Sequence, residues 1–177
     1  MQEHSQQFSV LMSLYAGENP EYLRESLESI TEQTLPPQEI VIVKDGPLTE
    51  ELNQVLEEFA EHYPNQLTLL PLPNNVGLGE ALRQGIKTCR SPIIIRVDTN
   101  TVVAPQRFAL QLEEMTSNQE LVMVGGQIKE LEGTPVAHFA KIGAPLTDQE
   151  IREALPQRNP FFHETVCYRR GAVLEAG

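Results

Sequence analysis

Ile40-Val-Ile-Val43, followed at once by Lys44-Asp45-Gly46-Pro47, is four consecutive β-branched residues ending in a turn. A continuous apolar run of this kind belongs to a strand buried on both faces, as in a parallel sheet, because an antiparallel strand with one wet face would alternate. Working outward, the same signature recurs. Phe8–Leu14 reads as a first strand, Leu67–Leu72 as a third, Ile93–Val97 as a fourth and Leu121–Val124 as a fifth. Between them lie segments of helical period. Leu23, Leu27 and Ile30 repeat at i, i+4 and i+7 after Asn19-Pro20, an N-cap followed by proline at the first helical position. Leu52, Val55, Leu56, Phe59 and Tyr63 mark a second helix, Leu78, Ala81, Leu82, Ile86 and Cys89 a third, and Phe108, Leu112 and Met115 a fourth after Pro105.

Strands alternating with helices across short loops predict βαβ units: an α/β fold, a mostly parallel sheet with helices on both faces. The alternation holds to Gly126. Beyond it come Pro135, Pro145 and Pro156 and one short helical segment, Thr147–Leu155, so 127–177 reads as a loop-rich region of the same single domain.

The 177 residues carry 25 Asp and Glu against 13 Lys and Arg, a formal charge of −12. Such a field repels nucleic acid and anionic lipid, so neither is expected as a partner. Two cysteines, Cys89 and Cys167, embedded in apolar patterns indicate a reducing compartment rather than a disulfide scaffold. Residues 1–7 are polar, and the run Phe8–Leu14 is far short of the roughly 20 residues that span a bilayer. A cytoplasmic protein without an integral membrane segment is expected, with a peripheral position at the inner membrane as the alternative. His4 and His62 read as surface residues.

Ligands of open α/β sheets bind at the carboxyl ends of the strands. Glycine and polar residues gather after four of them: Tyr15-Ala-Gly17, Lys44-Asp45-Gly46-Pro47, Pro73-Asn-Asn-Val-Gly77 and Asp98-Thr-Asn100. Asn75-Val-Gly77-Leu-Gly79 opens a helix, where backbone N–H groups favour a phosphate. A dinucleotide fingerprint would need glycine at Leu82 and a place after the first strand, so a nicotinamide cofactor is disfavoured. Asp45 reads either as a turn residue or as an acceptor for a base or ribose. Asp98, stepping off the most apolar strand, would suit a magnesium or manganese ion bridging a diphosphate if a second acid stood two residues on; Asn100, a neutral oxygen donor, and Thr101 there weaken that reading. His163-Glu164-Thr-Val-Cys167 lacks the second histidine of a zinc-protease helix and reads as a loop entering a strand, with His163 facing a pocket or buried.

These segments together resemble family 2 glycosyltransferases: Val10-Leu-Met-Ser-Leu-Tyr15, Tyr22-Leu-Arg-Glu-Ser-Leu-Glu-Ser-Ile30 and Gln33-Thr-Leu-Pro36. Glu39-Ile-Val-Ile-Val-Lys-Asp-Gly-Pro-Leu-Thr49 is similar to the branch assembling bacterial exopolysaccharide, including colanic-acid and amylovoran enzymes. Asn75–Leu82, Pro105-Gln-Arg-Phe108 and Asn159-Pro-Phe-Phe-His163 continue the resemblance in order over the whole chain. It implies the Rossmann-like GT-A fold, a nucleotide-diphospho-sugar donor, a saccharide or lipid-linked saccharide acceptor, inversion at the anomeric carbon, and a Mg or Mn ion steadying the leaving diphosphate. Tyr15, Asp45, Gly77 and Asp98 fall at its nucleotide-sugar positions. Asp98 and Asn100 fall at its metal motif, and His163 on the acceptor side.

Three departures follow. The family's Asp-x-Asp-Asp stands here as Asp98-Thr99-Asn100-Thr101. Arg83 replaces an expected Asn, which adds it to the candidate nucleotide-sugar residues, and Arg83 or Lys44 could stand in for a missing metal. The catalytic base is expected beyond Gly177, so that residues 1–126 would form the nucleotide-binding core, 127–177 an acceptor-side region, and the chain alone would be inactive. The alternative is a non-catalytic nucleotide-sugar-binding or interaction module. A sugar nucleotidyltransferase is disfavoured for want of a long glycine-rich basic loop after the first strand.

Overall fold

The computed structural model describes residues 7–128 and 144–177. Five strands follow the expected order: β1 Phe8–Leu14, β2 Glu39–Lys44, β3 Leu67–Pro71, β4 Ile93–Arg96 and β5 Met123–Val124. Between them stand α1 Pro20–Thr31, α2 Glu50–His62, α3 Leu78–Thr88 and α4 Arg107–Ser117. After the segment outside the described residues come α5 Asp148–Ala154, a 3-10 turn His163–Thr165, β6 Cys167–Arg169 and α6 Arg170–Ala176. His4 and Pro135 lie outside the described residues.

The sheet order is β3-β2-β1-β4-β6-β5. β1 pairs in parallel with both β2 and β4, and β2 with β3. β6 is antiparallel to β4 and β5, with Ile94 opposite Tyr168 and Met123 opposite Tyr168 across the other edge. A strand from the region read as loop-rich thus sits inside the sheet, between β4 and β5.

Alternation along the strands separates two cores. Val10, Met12, Leu14, Ile40, Ile42, Ile93 and Ile95 meet α1, α2 and α4 through Leu23, Leu27, Ile30, Leu52, Leu56, Phe108, Leu112 and Met115. Leu11, Val41, Val43 and Ile94 face the other way, onto Ala81 and Ile86 of α3 and Val173 of α6. Both faces of the central strands are covered, which is why those strands read as unbroken apolar runs.

The helix ends follow the local chemistry. The Asn19 side chain accepts from the Glu21 N–H with Pro20 at the first position, and Thr49 accepts from Leu52 N–H. Thr147 and Glu150 form a reciprocal capping box on α5. Arg169 and Arg170 splay to opposite sides of the sheet. Arg169 donates to the carbonyls of Met115 and Leu121 near the end of α4, and Arg170 to those of Ile86 and Lys87 at the end of α3. Cations are favourable there because the last helical carbonyls lack intrahelical partners.

Candidate functional site

The carboxyl ends of β1 to β4 open on a cavity of about 290 Å³ lined by Ser13, Tyr15, Glu18, Asp45, Asn75, Gly77, Leu78, Asp98 and Asn100. Of the sequence-derived nucleotide-sugar residues, Tyr15, Asp45, Gly77 and Asp98 come together here, with Asn100 beside them. Arg83 does not. Its Nε donates to Glu80 Oε2 at 2.7 Å and its Nη2 to Oε1 at 2.9 Å, so it is tied to its own helix. Lys44 is likewise turned to Asn53 Oδ1 at 2.6 Å. Three carboxylates line the cavity, and none of the described lining residues is Lys or Arg.

Asp45 is almost wholly buried and builds the neighbouring loop. Oδ1 accepts from Val76 N–H at 2.7 Å and Oδ2 from Gly77 N–H at 3.1 Å. These amides belong to the two residues before α3, so the carboxylate fastens the loop that leads into the helix. Gly77, with φ 84°, carries the chain into the helix. Gly46, with φ 86°, lets the turn after β2 pass beneath that loop.

The loop after β4 is held from behind by α1 and the turn that ends it. Ser26 Oγ donates to the Asp98 carbonyl at 3.0 Å, Ser29 Oγ accepts from Val103 N–H at 3.0 Å, and Gln33 Nε2 donates to the Ala104 carbonyl at 2.9 Å while its Oε1 accepts from Phe108 N–H. Ser26 and Ser29, at i and i+3, share a face of α1, and Gln33 stands just past the helix end in the turn that follows. Their polarity within an otherwise apolar stripe was the available signal for this role.

Around Asp98 the charges are dense. Arg96, on β4 and buried, donates from Nη2 to Asp98 Oδ1 and from Nη1 to His163 Nδ1. Arg107 Nη2 donates to the Arg96 carbonyl at 2.7 Å. Burial pulls Arg107 down to about 10, still protonated at neutral pH. Burial raises the Asp98 carboxyl above its ordinary value, opposed by Arg96 and His163. Glu18 is raised as well, chiefly by burial and further by the Asp98 charge, against a hydrogen bond from Thr99.

Asp98, His163 and Glu164 each offer a ligand atom within 4.8 Å of the others. Two carboxylates and an imidazole form a donor set that suits a divalent ion such as manganese, so the residues fit a metal by their chemistry. Asn100 remains a neutral oxygen in the adjoining cavity. Sequence reasoning singled out Asp98, Asn100 and His163 but missed Glu164, Glu18 and Arg96. Only the short 3-10 turn at His163–Thr165 places Glu164 near Asp98, and no periodicity announces that turn. No described helix is long and apolar enough to cross a membrane.

Comparison with known proteins agrees with this architecture. The amylovoran biosynthesis glycosyltransferase AmsE of Erwinia amylovora is 38% identical over 170 residues, covering 96% of this chain and 62% of AmsE. The UDP-Gal:alpha-D-GlcNAc-diphosphoundecaprenol beta-1,3-galactosyltransferase of Escherichia coli is 29% identical over 177 residues, 100% of this chain and 63% of the relative. The chain thus spans 62–63% of the length of these curated relatives. In fold, S. aureus TarS 1-349 in complex with UDP superposes with TM-score 0.72 at 20% identity, over 96% of this chain and 48% of that one. The mannosyltransferase PcManGT of Pyrobaculum calidifontis, in complex with GDP-Man and Mn2+, gives 0.69 at 17%, over 97% and 46%. The fold is that of the GT-A glycosyltransferases. The model of the family described as Glycosyl transferase family 2 matches residues 9–176, and the chain belongs to that family.

Proposed function

We propose that this chain binds a nucleotide-diphospho-sugar in the cavity at the ends of β1 to β4 and serves transfer of the sugar, with inversion, to a saccharide or lipid-linked saccharide acceptor in surface-polysaccharide assembly. One observation carries the reading: the cavity joins Tyr15, Asp45, Gly77 and Asp98 at the strand ends where α/β folds hold nucleotides. Similarity to AmsE and to the diphosphoundecaprenol-dependent galactosyltransferase supports the acceptor class.

A diphosphate entering a cavity lined by Glu18, Asp45 and Asp98 meets like charge, so a divalent cation is the fitting partner. Asp98, His163 and Glu164 would hold it, and the ion would neutralise charge developing on the leaving diphosphate. Tyr15, half-exposed at the rim, offers a face for the base, and Asp45 with Gly77 shapes the loop against the nucleoside. His163, in the segment that the resemblance assigns to the acceptor side, would meet the incoming acceptor.

Calorimetric titration with UDP, GDP and dTDP, each with manganese or magnesium, tests the reading. Metal-dependent binding of one of them is expected, and failure of all three would refute it. A second reading is favoured by Asn100 and Thr101 in place of acids: a binding module without metal chemistry. It requires that only Asn100→Asp with Thr101→Asp binds metal and nucleotide tightly.

A further inference from the structure

Arg96 is a cation placed inside the group that would receive the metal. It lies on β4 with 4% of its side chain exposed. One guanidinium nitrogen is spent on Asp98 Oδ1 and another on His163 Nδ1. Its Nε has no hydrogen-bond partner among the described residues, although it is buried. The guanidinium is therefore arranged around those two contacts rather than around its own full satisfaction.

Hydrogen-bond chemistry fixes what this means for His163. A guanidinium only donates, so Nδ1 must carry the lone pair, and a neutral imidazole then carries its proton on Nε2. The protonated nitrogen cannot coordinate a metal, and the other lone pair is engaged by Arg96. Asp98 Oδ2 stands 3.4 Å from the same Nδ1, which has no proton to give it. Metal-bound histidines donate their second N–H to an acceptor; here the histidine faces a donor instead. Arg107, at the Arg96 carbonyl, adds positive charge behind the group.

We infer that Arg96 is the positioning residue that sets metal entry: a divalent ion takes Asp98 and His163 only in exchange for the Arg96 guanidinium. In the metal-free chain Arg96 is the counter-cation that keeps Asp98 and His163 together, and incoming metal must displace it. The inference rests on the metal half of the proposed function and not on the nucleotide.

Manganese binding to the chain alone, followed by the electron paramagnetic resonance of free Mn2+ without nucleotide, tests it. Arg96→Met should bind Mn2+ about tenfold more tightly than the wild type, the scale of removing one charged competitor from a partly buried site. Unchanged or weaker binding by a folded Arg96→Met chain would overturn the inference. Because Arg96 is buried and the variant can fail to fold, the wild type supplies a second readout. Long-range 15N–1H correlation spectra of the metal-free chain at mildly alkaline pH should show His163 with its proton on Nε2. A proton on Nδ1 would overturn the inference regardless of any variant. Both measurements omit nucleotide, so loss of nucleotide binding would strike the proposed function alone.

Discussion

Gly46 passes so closely beneath Asn75 that a Cβ built on it would stand 2.7 Å from the Asn75 backbone nitrogen. The obstacle is main chain, which cannot rotate away, and φ at Gly46 is +86°, where L side chains are strained. Gly46→Ala should therefore lower stability by about 1–3 kcal/mol. It should also weaken nucleotide binding, since the displaced loop carries Asn75 and Gly77 into the cavity. Urea unfolding and calorimetry check both effects, and a variant with an unchanged midpoint would contradict the packing described.

Asn100→Asp should move two observables in opposite directions. A second carboxylate beside Asp98 and Glu18 adds like charge where both acids are already raised by burial, so the metal-free variant should melt below the wild type. The same carboxylate supplies a hard oxygen ligand, and Mn2+ affinity should rise about tenfold, near 1.4 kcal/mol. Excess Mn2+ should then raise the melting temperature of the variant more than that of the wild type. Equal metal responses would mean that position 100 does not face the metal.

The regular part of this fold was legible because its signals are local. Ile40–Val43 announces a doubly buried strand by composition alone, and β2 is found at Glu39–Lys44. Asn19-Pro20 marks the start of α1, and the structure begins that helix at Pro20. β6 is another matter. Val166-Cys-Tyr168 reads as a loop entering a strand, yet nothing in three residues says that the strand enters between β4 and β5 in the antiparallel sense. That placement is decided by pairing across more than 70 residues of sequence with β4. The site divides in the same way. The strand-end residues follow from a rule about sheets, whereas the pairing of Arg96 with His163 joins side chains 67 positions apart. Arg83 shows the converse: it stands out as a charge where the resemblance expects Asn, whereas the structure pairs it with Glu80 three residues earlier on the helix.

Glu39 anchors the opposite end of the sheet and permits a control. Its carboxylate accepts from Ser9 Oγ at 2.6 Å, Arg90 N–H at 2.9 Å and Arg90 Nε at 2.8 Å. The Glu39 side chain is 4% exposed, that of Arg90 74%. Removing Glu39 would strand the buried Ser9 hydroxyl and a backbone donor, each worth about 1–3 kcal/mol when unsatisfied. Removing the Arg90 side chain forfeits only a solvent-facing ion pair, worth about 0–1 kcal/mol. Glu39→Ala should thus be several-fold more destabilising than Arg90→Ala. Nucleotide affinity of the folded variants should be unchanged, because these residues lie at the amino ends of β1, β2 and β4.

Cys89 and Cys167 are 1% and 0% exposed, and burial pushes each thiol from near 9 up to about 12. The thiolate is the reactive form, so neither cysteine should react with an aromatic disulfide reagent in the native chain at neutral pH. Both should react once urea unfolds it. The same shift fixes the sign of an alkaline effect. Above the unfolded thiol's pKa the unfolded chain sheds these protons while the folded chain keeps them, so the folded state binds more protons and stability falls as pH rises. The loss begins near pH 9 and continues toward about 12, at up to about 1.4 kcal/mol per pH unit for each thiol. Tyr168, also raised by burial, adds to it at the upper end. Urea midpoints measured from neutral to alkaline pH should decline over this interval, and Cys89→Ala with Cys167→Ala should flatten the decline. A wild-type midpoint that holds steady, or rises, across the same interval would show that the thiols are not buried as neutral groups.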